Sequence, residues 1–190
     1  MKKQRKIPLK NQSTKDLIQI ALLTSMLSVA SVFVIPIGPV PITLQVFFFL
    51  LIPALIGRMK GALTMSLYML LGLIGFPVFA GGTGGFQSIL SPAFGYIIGA
   101  ILVSLVVGSL HKRSASTIEM LGTMFLGIVV LYIVGMSYQY FIMNQVLETS
   151  ISWQTIILTN VTAFLPIDMI KAFTAGLVYQ RLEAVLVRTV

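Results

Sequence analysis

An all-α membrane protein of six transmembrane helices is the fold class this sequence predicts, and three observations predict it. Of 190 residues, 57% are hydrophobic and only 9% charged, against about 25% charged in an ordinary soluble domain; the mean hydropathy is +0.98. Charge-free intervals are long: 17–57 runs for 41 residues and 61–110 for 50 without Asp, Glu, Lys or Arg. A helix needs about 20 residues to cross a bilayer, so each interval holds two helices and an uncharged connection, and two later apolar segments bring the number to six. Finally, twelve of the thirteen basic residues fall in alternate connections: six up to Lys15, then Arg58 and Lys60, Lys112 and Arg113, and Arg181 and Arg188, with none in 36–42, 77–90 or 143–150. This sidedness predicts that both termini are cytoplasmic.

The chain reads as one transmembrane domain over 1–190. Its basic arm, 1–14, suits orientation and attraction to anionic lipid rather than nucleic acid. The apolar segment that follows is too long for a signal-peptide core and reads as a retained first span, Leu17–Ile35, with Ser13 or Thr14 as its cap. Pro36, Gly38, Pro39 and Pro41 break it. The second span is Thr43–Gly57, kinked at Pro53; the third is Ala62–Phe76. A glycine-rich outer loop, 76–90, leads to the fourth span, Ser91–Leu110. The fifth is Met120–Ile142 and the last Ile151–Tyr179, with Trp153 as an interfacial anchor.

Gly81, Gly82, Gly84 and Gly85 interrupt a long apolar run. Irregular backbone at membrane depth is tolerated only where protein buries it or it lines a cavity, so this stretch is either a water-exposed connection or the lip of a binding site. Asp168 and Lys171 stand inside the last span, where ionisable groups are costly and mark substrate or ion paths. Their i, i+3 spacing puts both on one helix face. They read as a ligand site, a self-neutralising structural pair or a proton relay, and no second carboxylate in another span continues a relay. Pro166 loosens the backbone beside them. Thr43, Gln45, Tyr68, Gln87, Ser88, Tyr96 and Asn160 are further polar candidates, each able to serve instead as an interhelical hydrogen bond. Phe47, Phe79, Phe86 and Phe94 suit packing.

Enzyme signatures are missing: no GxxxxGK[ST], HExxH or GxSxG occurs, which excludes ATP hydrolysis by a phosphate-binding loop of this chain. There is no cysteine and one histidine, His111, so the sequence predicts neither a metal site nor a cofactor. Ala21, Ser25 and Ser28 give the first span a face of small residues suited to close helix approach, within the protein or with a partner.

IPIGPVPITLQ (35–45), the stretch 57–100 with its GFPVFAGGTGG, and FLPIDMIKAF (164–173) together resemble the BioY family. These are biotin-specific substrate-binding (S) components of energy-coupling factor (ECF) transporters. The resemblance runs in order through nearly the whole chain. It implies a six-helix S-component fold in the bacterial cell membrane and biotin held near the outer face. It further implies assembly with a membrane coupling (T) subunit and two cytoplasmic ATPases. On that basis the ligand-binding candidates are Asp168, Lys171, Gln45, Thr43, Phe79, Gly82, Gly84 and Tyr96, and the partner-contacting ones Ala21, Ser25 and Ser28. Two departures stand out. Serine or threonine replaces alanine in the helix-one AxxxA pattern, at Ala21–Ser25 or Thr24–Ser28, and Ser91-Pro92-Ala93-Phe94-Gly95-Tyr96 stands where the family often reads GPtgGy. An S component for another vitamin, such as thiamine or riboflavin, and a self-sufficient ion-coupled carrier are the rival expectations.

Overall fold

The computed structural model describes residues 14–36, 38–110 and 116–188, with side chains to residue 183. Residues 1–13 of the basic arm, including Ser13, and the turn at His111, Lys112 and Arg113 lie outside the described residues. Helix α1 (Thr14–Val32) ends in a small antiparallel hairpin, β1 (Val34–Ile35) and β2 (Ile42–Thr43), which pairs Val34 with Thr43 and Ile35 with Ile42. Helices α2 (Gln45–Ile56) and α3 (Arg58–Leu73) follow, then two 3-10 turns, Ala80–Gly82 and Phe86–Leu90. Next come α4 (Phe94–Leu110) and α5 (Thr117–Phe141), the latter prolonged by a π turn, Ile142–Val146. The last span is compound: α6 (Trp153–Thr159), a π turn over Asn160–Phe164, and α7 (Leu165–Arg188). Counting this as one rod gives six.

Three of these rods, Thr14–Val32, Thr117–Val146 and Trp153–Glu183, are long and apolar enough to cross a membrane. Helix α2 is not. Its 12 residues reach about 18 Å, against a hydrocarbon core of about 30 Å. In the hairpin before it, Ile42 and Thr43 of β2 are buried, whereas Ile35 of β1 is exposed.

Helix α2 is also the centre of the molecule. Six successive residues, Phe49 to Ala54, are buried, as expected of a helix that is apolar all round. It packs on α4, α7 and α3, while α4 packs on α3 and α5, and α1 leans on α3. Pro53 sits inside α2, and its Cα and Cβ lie 2.9 Å from where a Cβ on Gly61 would stand. Small residues permit this close approach of helices.

The structure moves several expected boundaries. The first span stops at Val32 because the next residues pair in the hairpin, and Thr43 lies in β2 rather than opening α2. The third span starts at Arg58, since Gly57, with φ +81°, alone turns the chain between α2 and α3. The glycine-rich stretch is folded rather than open. Phe79 and Thr83 form a β-bridge, and Phe79 drops into the core over Gly72, where a Cβ would meet its ring at 2.0 Å. From there an edge-to-face series runs from Tyr68 to Phe79 to Phe94, with centroids 5.5 and 6.1 Å apart.

The two ends of the bundle differ. Lys60 Nζ donates to Asp16 Oδ1 at 2.5 Å, tying the start of α3 to the start of α1. The α4 terminus at Gly108 packs on the backbone of Arg58, and Gln180 of α7 donates to Thr117 of α5. Lys15, Arg58, Lys60 and Arg181 all belong to this end. Ser116 and Glu119 close a capping box there, satisfying the first donors of α5. The hairpin and the 3-10 turns form the opposite end. Beyond them Trp153 stacks on Tyr140 with centroids 4.4 Å apart.

Candidate functional site

Below the hairpin end, the start of α2, the turn at Ala80, α4, α5, the second π turn and α7 enclose a cavity with about 490 Å³ of empty space. A second lobe of about 580 Å³ continues it toward Phe79, Thr83, Ser88 and Phe94. Pro41, Gln45, Ala80 and Ala93 line both lobes. Together the lobes form an open concavity lined mostly by apolar side chains with a few polar groups among them, the usual form of a small-molecule site.

The inner lobe carries the charge. Asp168 and Lys171 are 5% and 9% exposed, one turn apart on α7, and Lys171 Nζ donates to Asp168 Oδ1 at 2.7 Å. Tyr132 of α5 donates its hydroxyl proton to the other carboxylate oxygen, Oδ2, at 2.7 Å. Burying two charges is costly unless they are paired and their remaining sites satisfied. Here the carboxylate has a donor on each oxygen, while Lys171 has other N–H groups left for a ligand.

The π turn aims Asn160 and Phe164 inward, and both are buried. Such single-turn bulges recur at functional sites. Its closing bond runs from Leu165 N to Asn160 O, just before Pro166, which could not supply an amide proton. Tyr96 donates to Asn160 Oδ1 at 2.6 Å. Asn160 Nδ2 donates to Ile156 O at 2.9 Å and to Gln139 Oε1 at 3.0 Å. At the opposite wall, Thr43 Oγ1 accepts the amide of Gln45 at 3.1 Å, a helix-start donor, and donates to Gln45 Oε1 at 3.0 Å. Gln45 Nε2 donates to the Tyr68 hydroxyl at 2.6 Å. Tyr68 in turn has Ser31 Oγ and the carbonyl of Val78 at 3.0 Å each. The wall thus offers acceptor oxygens from Tyr96, Tyr132 and Asp168, and donor N–H groups from Lys171.

A scan against protein families matches residues 1–188 to the model of the BioY family. The chain belongs to the BioY family. Among curated BioY relatives, the probable biotin transporter BioY of Lysinibacillus sphaericus is 34% identical over 93% of this chain and 91% of its own length. The biotin transporter BioY of Thermotoga maritima is 33% identical over 89% of this chain and 96% of its own. Among solved structures, the S-component for biotin from an ECF-type ABC transporter superposes with a TM-score of 0.82 at 30% identity, over 92% of this chain and 94% of that one. BioY-family membership thus comes with a shared six-helix membrane fold.

Of the residues singled out from the sequence, Asp168, Lys171, Thr43, Gln45 and Tyr96 meet in the inner lobe. Phe79 lines the outer lobe. Gly82 and Gly84 line neither. Gly82 turns the chain at φ +73°, and a Cβ on Gly84 would stand 2.2 Å from Phe76 O, so these glycines shape the loop while Ala80 and Thr83 face the lobes. Ala21 and Ser25 lie on the exposed face of α1 and Ser28 at its margin, beside the stripe of buried Ile20, Thr24 and Leu27. Ser25 and Ser28 return their protons to the carbonyls four residues back, which leaves the face smooth. Sequence reasoning missed Tyr132 and Gln139. They are seven residues apart, two turns along one face of α5, inside a long apolar run; that polar spacing was the available signal.

Proposed function

We propose that this chain is the biotin-binding S component of an ECF-type importer. It captures biotin in the two-lobed cavity and delivers it by associating with a membrane T subunit and two cytoplasmic ATPases. The observation that carries the reading is the buried Asp168–Lys171 pair with tyrosine oxygens beside it. A cyclic urea presents two N–H donors and one carbonyl acceptor, the complement of this wall. Asp168 accepts a ureido N–H, and Lys171 donates to the carbonyl or to the carboxylate of the valerate tail. The apolar surface of Phe49, Phe164 and Val46 suits the bicyclic body. The names borne by the BioY relatives and by the structural neighbour support the same ligand. The basic end of the bundle faces the cytoplasm, and the exposed Ala21–Ser25–Ser28 face of α1 meets the T subunit.

Calorimetric titration of the purified protein with biotin, with thiamine and riboflavin as controls, tests this. Selective one-to-one binding in the nanomolar range, about −12 kcal/mol, is expected. Asp168→Asn strands the Lys171 charge and should cost about 2–5 kcal/mol of binding. Normal binding by both Asp168→Asn and Lys171→Met would make the pair structural, and a folded wild type that ignores biotin would overturn the ligand.

A further inference from the structure

Gln139 is 3% exposed and lines neither lobe of the cavity, and Asn160, its partner, is 1% exposed. Their hydrogen bonds have a forced direction. The carbonyl of Ile156 can only accept, so the atom of Asn160 that lies 2.9 Å from it is the amide nitrogen. The amide oxygen must then face Tyr96, 2.6 Å away, and it takes the one proton that the phenol owns in preference to Gln139 Oε1, which lies 3.5 Å from the same hydroxyl. The second N–H of Asn160 goes to Gln139 Oε1 at 3.0 Å, which holds the amide from the other side. The Tyr96 ring cannot move away easily. It lies over Gly135, where a Cβ would meet it at 2.4 Å, and edge-on to Tyr132 with centroids 6.3 Å apart.

We infer that Asn160, buttressed by Gln139, is a positioning residue that commits the Tyr96 hydroxyl to act as a hydrogen-bond acceptor toward the ligand. Tyr132 is committed in the same way, because its proton is spent on Asp168. Two phenol oxygens on one wall therefore present only lone pairs to the cavity. The wall selects ligands that bring N–H groups to it, such as a cyclic urea, and rejects those that bring a carbonyl or carboxylate there, since buried lone pairs facing one another leave both groups unpaired. This inference rests on the biotin reading and adds a specificity device to it.

A double-mutant cycle read by biotin titration tests it. In the wild-type background, Asn160→Leu removes the acceptor at 2.6 Å and leaves the Tyr96 hydroxyl only Gln139 Oε1 at 3.5 Å, so its proton turns toward the cavity, where it opposes a ligand N–H, and the affinity should fall roughly tenfold or more. In a Tyr96→Phe background the same Asn160→Leu change should cost almost nothing further, because no proton is left to redirect. Gln139→Leu touches no cavity wall and should show the same dependence on Tyr96 at smaller amplitude. It also serves if Asn160→Leu does not fold. Equal losses with and without the Tyr96 hydroxyl, for whichever of these variants fold, would make the network purely structural and overturn the inference. A wild type that binds no biotin would instead overturn the ligand on which it rests.

Discussion

Single groups decide the chemistry of the inner lobe. Asp168 is accommodated in an apolar bundle because each of its oxygens has a donor, Lys171 on Oδ1 and Tyr132 on Oδ2. Tyr132→Phe removes one of them and should weaken biotin binding by about 1.5–3 kcal/mol, the worth of a hydrogen bond to a charged group; titration calorimetry reads it directly. Lys171→Met leaves an uncompensated buried carboxylate, so its melting temperature should fall as well as its affinity. Asp168, Lys171, Thr43, Gln45 and Tyr96 were legible in the sequence because polar side chains are conspicuous among apolar ones. Tyr132 and Gln139 were not. A tyrosine and a glutamine in a 25-residue apolar helix read as ordinary interhelical contacts until the partner helix is known.

Among the elements, α2 and the glycine-rich stretch carry the surprises. A uniformly apolar run has no periodicity to show which face is buried, so the central place of α2 appears only in the packing. Two-residue strands leave no pattern either, which hid the hairpin. In the glycine-rich stretch, the two candidate positions make different demands. At Gly84 a side chain would strike the Phe76 carbonyl, so Gly84→Val should unsettle the 76–85 backbone and lower thermal stability. At Gly82 space is open but φ is +73°, so Gly82→Ala carries mainly the strain of a left-handed residue, about 1 kcal/mol. Gly135→Ala, by pushing Tyr96 inward, should reduce biotin affinity by more than it reduces stability. Parallel melting and titration curves would separate these effects.

For the whole molecule, the charge-free intervals read the number of helices correctly because desolvation leaves so few places for charge in a bilayer. The same reasoning groups Lys15, Arg58, Lys60 and Arg181 at one end. The exposed small-residue face of α1 is the surface we assign to the coupling subunit. Ser25→Leu should leave biotin binding intact while abolishing ATP-driven uptake in vesicles containing all four subunits; full uptake would move the docking surface elsewhere. The Asp16–Lys60 bridge between the starts of α1 and α3 is a quarter to a third exposed, and Lys60→Met should cost the fold no more than about 1 kcal/mol.

The self-neutralised pair in α7 has an electrical consequence. The charges of Asp168 and Lys171 cancel, so in the importer proposed above the empty pocket adds no net charge, whereas biotin brings a carboxylate and makes the loaded pocket anionic. Carrying one negative charge through an inside-negative potential of 100 mV takes about 2.3 kcal/mol of work. On the proposed function the voltage therefore resists the inward transfer of biotin, and uptake should slow as the membrane is hyperpolarised.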